Sequence, residues 1–132
     1  AITVGAPEPA SGVIDLPIGR RGEEKRFCVR PDGAPSVTAY ETLASDGALA
    51  LLRLRPETGR THQIRVHLSA IGCPILGDRL YGRVSAEIAR TALHSSRLTL
   101  IHPLTGETVS AEAPLPEDMR AVLDAHALLV GE

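Results

Sequence analysis

Two glycines, Gly59 and Gly72, bracket the stretch of this chain with the fewest folding options. Between them Ile64, Leu68 and Ile71 fall at i, i+4 and i+7, an apolar stripe of helical period. Gly59 suits a tight turn of positive φ, Thr61 an N-cap and Gly72 a stop, so the spacing predicts a helix over residues 62–71. Strands are expected at residues 2–4, 26–30, 37–43 and 49–54, separated by turn clusters such as Pro31-Asp32-Gly33 and Ser45-Asp46-Gly47. Downstream, the pattern predicts a short helix at 85–90 and a hairpin of residues 92–101 with 108–113 around His102-Pro103 and Thr105-Gly106. A last helix runs from Pro116-Glu117-Asp118 to about Leu129, with acids in its first turn. The order is α+β, with a largely antiparallel sheet and a few helices.

The central helix carries a dense load of chemistry. Arg60, His62, Arg65 and His67 lie within eight residues. At ~100° per residue Arg65 projects from the flank of the apolar stripe, so its stem can pack on apolar neighbours while its guanidinium enters a cleft. Arg60 at the turn and the free N–H groups of the first helical turn point the same way, which makes a natural site for phosphate or carboxylate. Taken singly, each residue has a plainer reading: a surface helix arginine, a turn arginine in a solvated salt bridge, two packing or capping histidines. A zinc site fails on spacing, because histidines five apart lie roughly 140° apart around a helix and not on the single face that an i, i+4 pair gives. No metal is expected.

Composition narrows the class. The 132 residues suit one domain, 1–132, and with 43% hydrophobic residues there is enough for a modest core. Phe27, Tyr40 and Tyr81 are the only aromatics, so that core must be built from Leu, Val, Ile and Ala. No apolar run approaches the ~20 residues of a membrane span, and no signal peptide is visible. A soluble, cytoplasmic protein with no membrane partner is expected, with isolated Cys28 and Cys73 reduced. Met119 is the only methionine, so the chain is expected to begin mid-protein. The net charge of −2 hides an asymmetry. Residues 53–97 carry eight arginines against Glu57, Asp78 and Glu87, whereas residues 105–132 carry Arg120 against six acids. A basic middle and an acidic end are compatible with one surface that faces a nucleic acid.

The string Thr58-Gly59-Arg60-Thr61-His62-Gln63-Ile64-Arg65-Val66-His67, followed by Pro74-Ile75-Leu76-Gly77-Asp78 and Leu80-Tyr81-Gly82, resembles the signature of the RluA-type family of RNA pseudouridine synthases. These enzymes convert uridine to pseudouridine in ribosomal and transfer RNA. The resemblance covers almost the whole chain. Ile2-Thr3-Val4-Gly5, Gly12-Val13-Ile14-Asp15, Pro17-Ile18-Gly19-Arg20 and Thr38-Ala39-Tyr40 follow the family order, as do Ala92-Leu93-His94-Ser95 with Leu98, His102-Pro103-Leu104-Thr105-Gly106 and the stretch from Ala113 to Met119. One departure is Gly33-Ala34, where the family commonly has Gly-Lys.

The resemblance implies the pseudouridine synthase fold, here its C-terminal half, and an isomerase that needs no cofactor or metal. The family extrudes the target uridine from the RNA, attacks it with an aspartate, and rejoins the rotated uracil through C5. Arg65 matches the family's active-site arginine, whose two-pronged guanidinium pairs with the catalytic carboxylate and keeps it ionised. Arg60, Thr61, His62 and Gln63, at the start of the helix, are expected to bind RNA, and Ile64 and Leu98 to wall the uracil pocket. The family's nucleophile lies in a His-Arg-Leu-Asp segment followed by Thr-Ser-Gly, which this chain lacks. Asp15, Asp32, Asp46, Asp78, Asp118 and Asp124 all stand in other contexts, and Asp78 matches a Gly-Asp turn where a structural role is expected. The family's active-site tyrosine aligns just before Ala1. The expected partners are therefore RNA (rRNA or tRNA) and the missing N-terminal half of the same domain, and this chain alone should be inactive. The alternative is a non-catalytic RNA-binding module that kept the phosphate site.

Overall fold

A computed structural model describes residues 1–23 and 26–128. In chain order the strands are β1 (Ile2–Val4), β2 (Ser11–Asp15), β3 (Ile18–Arg20), β4 (Phe27–Val29), β5 (Val37–Ser45) and β6 (Leu49–Pro56). Helix α1 (Gln63–Ala70), strands β7 (Arg97–Ile101) and β8 (Thr108–Glu112), and helix α2 (Glu117–Ala125) complete the chain. β5 and β6 form the long central hairpin. Asp46 closes its turn, with Oδ1 accepting the Ala48 and Leu49 N–H groups at 2.9 and 2.7 Å. β1 pairs along β6 and β2 along β5, giving the order β1-β6-β5-β2. All strand pairings among the described residues are antiparallel.

Residues Leu49, Ala50, Leu51 and Leu52 are all buried, so both faces of β6 are covered there. Ile2, Ile14 and Tyr40 of the sheet, Leu68 of α1, Ile75, Leu76, Ile88 and Ala92 of the connecting segment, and Met119, Val122 and Leu123 of α2 join the same core cluster. The segment after α1 is stitched to β1 by main-chain bonds, Val4 N–H to the Pro74 carbonyl and Leu76 N–H to the Ile2 carbonyl, at 2.8 and 2.9 Å. Gly77 is indispensable here: its φ is 78°, and a Cβ would collide with the Arg90 carbonyl. Among the described residues no helix is long and apolar enough to cross a membrane.

Several expectations change. Strands β2 and β3 were not foreseen, because β2 buries only Ile14 and β3 is three residues long. The 85–90 segment is not a helix. Its residues are spent on separate tertiary contacts: Ile88 in the core, Glu87 on His126, Arg90 on Asp118. β7 starts at Arg97 and not at 92, since Ala92 exchanges main-chain bonds with Ile2 and Leu76 instead. α2 ends at Ala125, and Leu129 lies outside the described residues. Its terminus has Ala127 in the left-handed region at φ 55°, with Ala127 N–H on the Asp124 carbonyl and Leu128 N–H on the Leu123 carbonyl. This paired closure is the Schellman arrangement, with buried Leu123 and Leu128 as its apolar contact.

His126 clasps three elements together. Its Nδ1 lies 2.7 Å from Asp46 Oδ2 in the β5–β6 turn, and its Nε2 lies 2.7 Å from Glu87 Oε1. Both nitrogens face carboxylates, so both bonds are donated by the ring only when it is protonated as an imidazolium. Asp46 and Glu87 accordingly raise the His126 pKa above its ordinary 6.5. A raised folded-state pKa means the clasp is fully present below about pH 6.5 and is lost as pH rises through the shifted value. His126→Asn is therefore expected to lower the thermal midpoint more at about pH 5.5 than at about pH 8.5. Circular dichroism melts of both proteins at the two pH values check this, and an equal loss at both would show that the clasp does not depend on charge.

Candidate functional site

The motif string divides into residues that brace and residues that present. Gln63 is buried, and all four of its hydrogen-bonding positions are used internally. Its Oε1 accepts Thr58 Oγ1–H at 2.7 Å and Arg60 N–H at 3.0 Å. Its Nε2 donates to the Val37 carbonyl at 2.8 Å and to Thr38 Oγ1 at 2.9 Å. Thr58 Oγ1 in turn accepts Val37 N–H at 3.0 Å. The Leu16 carbonyl can only accept, so the His67 ring proton sits on Nε2 and donates there at 2.8 Å, and Nδ1 then accepts the Thr38 Oγ1–H at 2.8 Å. An unbroken chain of hydrogen bonds thus runs from Leu16 to Arg60. It fixes α1 against the start of β5 and holds the loop that leaves β6.

Gln63 is therefore a brace and not an RNA contact, because no polar atom is left over for a ligand. The start of the helix also differs from expectation. Gly59 does not take a positive φ; the left-handed residue is His62, at φ 54° and ψ 23°, which is also the N-cap in place of Thr61. For a residue with a Cβ this conformation costs about 1–2 kcal/mol. Gly72 does stop the helix: its φ is 83°, its N–H meets the Ser69 carbonyl, and Cys73 N–H meets the Leu68 carbonyl. The buried face of α1 is Gln63, Val66, His67 and Leu68, while Ile64 and Ile71 are half-buried and flank the core. Leu98, on the β7–β8 hairpin, is 55% exposed, so within this chain it walls no enclosed pocket.

Arg60 is exposed, with Nε on the Pro35 carbonyl at 3.0 Å, and Thr61 beside it is exposed as well. Arg65 is half-buried, and its fork is engaged. Nε donates to Asp78 Oδ2 at 2.9 Å and Nη2 to Asp78 Oδ1 at 2.7 Å, while the guanidinium lies 5.1 Å from the centre of the Tyr81 ring. Asp78 is fully buried and also accepts the Leu80 and Tyr81 N–H groups at 3.0 and 3.1 Å. Burial alone would raise its carboxyl, yet the Arg65 guanidinium and the two amides outweigh burial and hold it below the usual carboxylate range. Asp78 is the structural partner that its Gly-Asp turn suggested. Tyr81 was not singled out from sequence. It meets His62 as well as Arg65, and the only signal was its place in the Leu80-Tyr81-Gly82 run.

Comparison with known proteins decides the family. The RNA pseudouridylate synthase family profile matches residues 1–70. This chain belongs to the RluA-type RNA pseudouridine synthases. An uncharacterized RNA pseudouridine synthase of Chloroflexus aurantiacus is 46% identical over 126 residues, which cover 93% of this chain and 40% of that protein. The ribosomal large subunit pseudouridine synthase D of Nitrosomonas europaea is 44% identical over 135 residues, covering 95% of this chain and 39% of that one. Among solved structures, human RNA pseudouridylate synthase domain containing 4 superposes with a TM-score of 0.77 at 28% identity, across 100% of this chain and 62% of that one. The chain thus spans about two fifths of the length of these curated relatives.

The Arg65–Asp78 pair gives a stability prediction for this pseudouridine synthase segment. Asp78→Asn keeps the shape but removes the charge, leaving Arg65, only 22% exposed, without its counter-ion. Breaking a buried pair from one side costs roughly 3–5 kcal/mol, and the partial exposure of Arg65 puts this case near about 3. Urea unfolding of the variant should show that loss, whereas Asp32→Asn, which breaks the exposed Arg30–Asp32 pair, should barely move the midpoint.

Proposed function

We propose that these residues form the arginine-bearing side of the active site of an RNA pseudouridine synthase, acting in the cytoplasm on ribosomal or transfer RNA. The observation that carries this reading is the geometry of Arg65. Its Nε and Nη2 are held by Asp78, and Nη1 makes none of the bonds to Asp78, so that edge remains for a second carboxylate, the nucleophile. That aspartate would come from a segment outside these residues. Asp78 is buried under Arg65, Asp32 is tied to Arg30, Asp46 to His126 and Asp118 to Arg90. None of these four is poised to attack a base.

The partner supplying the nucleophile is the remainder of the catalytic domain. The β7–β8 hairpin supports this. One of its faces pairs Arg97 with Glu112 and Thr99 with Ser110, while the other carries Leu98, Val109 and Ala111, all exposed. A lone two-stranded ribbon with an open apolar face is marginal in water, and the longer relatives have further chain to cover it.

RNA is held through the arginines that carry no counter-ion. Arg53, Arg65, Arg90 and Arg97 sit in ion pairs with Glu41, Asp78, Asp118 and Glu112. Arg55, Arg60, Arg79 and Arg83 form no such pair among the described residues and are exposed. If about three of them meet phosphates, log affinity for a structured RNA should fall with log salt at a slope of about −2 to −3, and Arg60→Ala should remove about one contact. Binding measured at several salt concentrations checks this, and salt-independent binding would contradict it.

Activity is tested in a chimera that joins the N-terminal part of the Chloroflexus aurantiacus relative to residues 1–132. It should make pseudouridine in unmodified RNA, quantified by mass, whereas residues 1–132 alone should make none. Arg65→Lys in the chimera should be nearly as inactive as Arg65→Ala, since lysine keeps the charge but loses the planar fork. A folded chimera that binds RNA without forming product would favour a non-catalytic RNA-binding module.

A further inference from the structure

His62 takes a backbone conformation that glycine would adopt freely, at the mouth of the motif helix. Its imidazole is half-buried and meets two rings edge-on, Phe27 at 5.9 Å and Tyr81 at 5.4 Å between centroids. Its Nδ1 lies 2.8 Å from Tyr81 Oη, and the same Oη accepts Phe27 N–H at 3.0 Å. A backbone amide can only donate, so the phenol accepts on that side and keeps its single proton available to Nδ1, which accepts it when the imidazole is the Nε2–H tautomer. The ring's own proton is then on Nε2. Tyr81 is itself immobilised: its N–H reaches Asp78 Oδ1, its carbonyl accepts Ser69 Oγ–H at 2.9 Å, and Arg65 lies across its ring. Burial, followed by the nearby charge of Arg65, lowers the basicity of His62, which favours the uncharged ring. Among the described residues Nε2–H has no hydrogen-bond partner.

We propose that His62 is a fixed-tautomer, uncharged hydrogen-bond donor through Nε2–H for an acceptor oxygen of the bound RNA strand, with Tyr81 as the positioning residue that sets the tautomer. This rests on the reading that the chain binds RNA. It gives the left-handed histidine a use: Phe27 and Tyr81 fix the plane of a ring whose Nε2 makes no hydrogen bond among the described residues. A neutral donor also differs from an arginine in a measurable way, because it displaces no counter-ion when RNA binds.

Two experiments on the 132-residue chain test it. Nitrogen-15 NMR of the imidazoles, without RNA, should show His62 as the neutral Nε2–H tautomer at neutral pH, and Tyr81→Phe should abolish that preference. A protonated ring or an Nδ1–H tautomer in the wild type overturns the proposal. For binding to a structured RNA hairpin, His62→Gly relieves the backbone strain and so should fold at least as well as wild type. It should nevertheless lose about fivefold to tenfold in affinity, the size of one neutral hydrogen bond, with the salt slope unchanged. His62→Asn retains a neutral N–H donor and tolerates the left-handed region, so its affinity should stay within about threefold of wild type. The losses from Tyr81→Phe and His62→Gly should not add in the double variant. Wild-type affinity in His62→Gly, or a reduced salt slope, overturns the donor role while leaving RNA binding intact; undetectable binding by the folded wild type at low salt overturns both.

Discussion

The Gln63 side-chain amide is the point on which the site hangs. It joins the loop that leaves β6, the first residues of β5 and the first turn of α1 through four hydrogen bonds made entirely inside the protein. Thr38 extends the chain to His67, and His67 extends it to Leu16 beyond β2. A buried polar network is worth having only when every member is satisfied, since an orphaned donor or acceptor costs about 1–3 kcal/mol. Here each donor finds one acceptor in sequence, so the direction of every proton is determined. The helix cannot rotate or slide without breaking several of these bonds together. Arg60, His62 and Arg65 inherit their positions from that rigidity.

Rigidity alone would not make Arg65 useful. A guanidinium on a surface helix samples many rotamers, and ordering it at the moment of binding is unfavourable. Asp78 removes that freedom in advance by taking Nε and Nη2, and Tyr81 fixes the plane from its side. Part of the charge is neutralised in the process. An incoming carboxylate therefore gains less raw attraction than a bare arginine would give, but it meets an N–H edge already in place. That exchange would suit the role proposed for Arg65, orienting a nucleophile and keeping it ionised, where geometry matters more than net charge.

Much of this architecture was readable from the residues. The central strands are set off by a legible turn cluster at Ser45-Asp46-Gly47, Gly72 marks the helix end, and the motif string spans the braced turn and α1. The misreadings share a cause. A period of 3.6 marks apolar residues as inward, yet α1 buries Gln63 and His67 more deeply than Ile64, because a satisfied hydrogen-bond network can be buried where an unpaired polar group cannot. Glycine at 59 suggested the left-handed turn, but the strained residue is His62, whose ring is held from outside its own segment by Phe27 and Tyr81. The 85–90 segment has helical composition, and contacts from α2 to Glu87 and Arg90 override it. Partners 28 to 39 residues away in the chain leave no local trace.

The same lesson governs charge. Counting residues gives a basic stretch between 53 and 97, yet half of its eight arginines are committed to carboxylates, several of them supplied by other elements of the fold. What remains for a polyanion is smaller than the count and more sharply placed. Arg60 lies in the motif turn, and His62, its basicity lowered first by burial, follows two residues on. Charge brings a phosphate backbone to the surface without regard to sequence, and such attraction fades with salt. A neutral donor of fixed direction contributes nothing at long range and acts only once a strand is seated. In the proposed reading the two kinds of contact would divide the work: the unpaired arginines would set how often RNA arrives, and the braced residues around Tyr81 which approach is held.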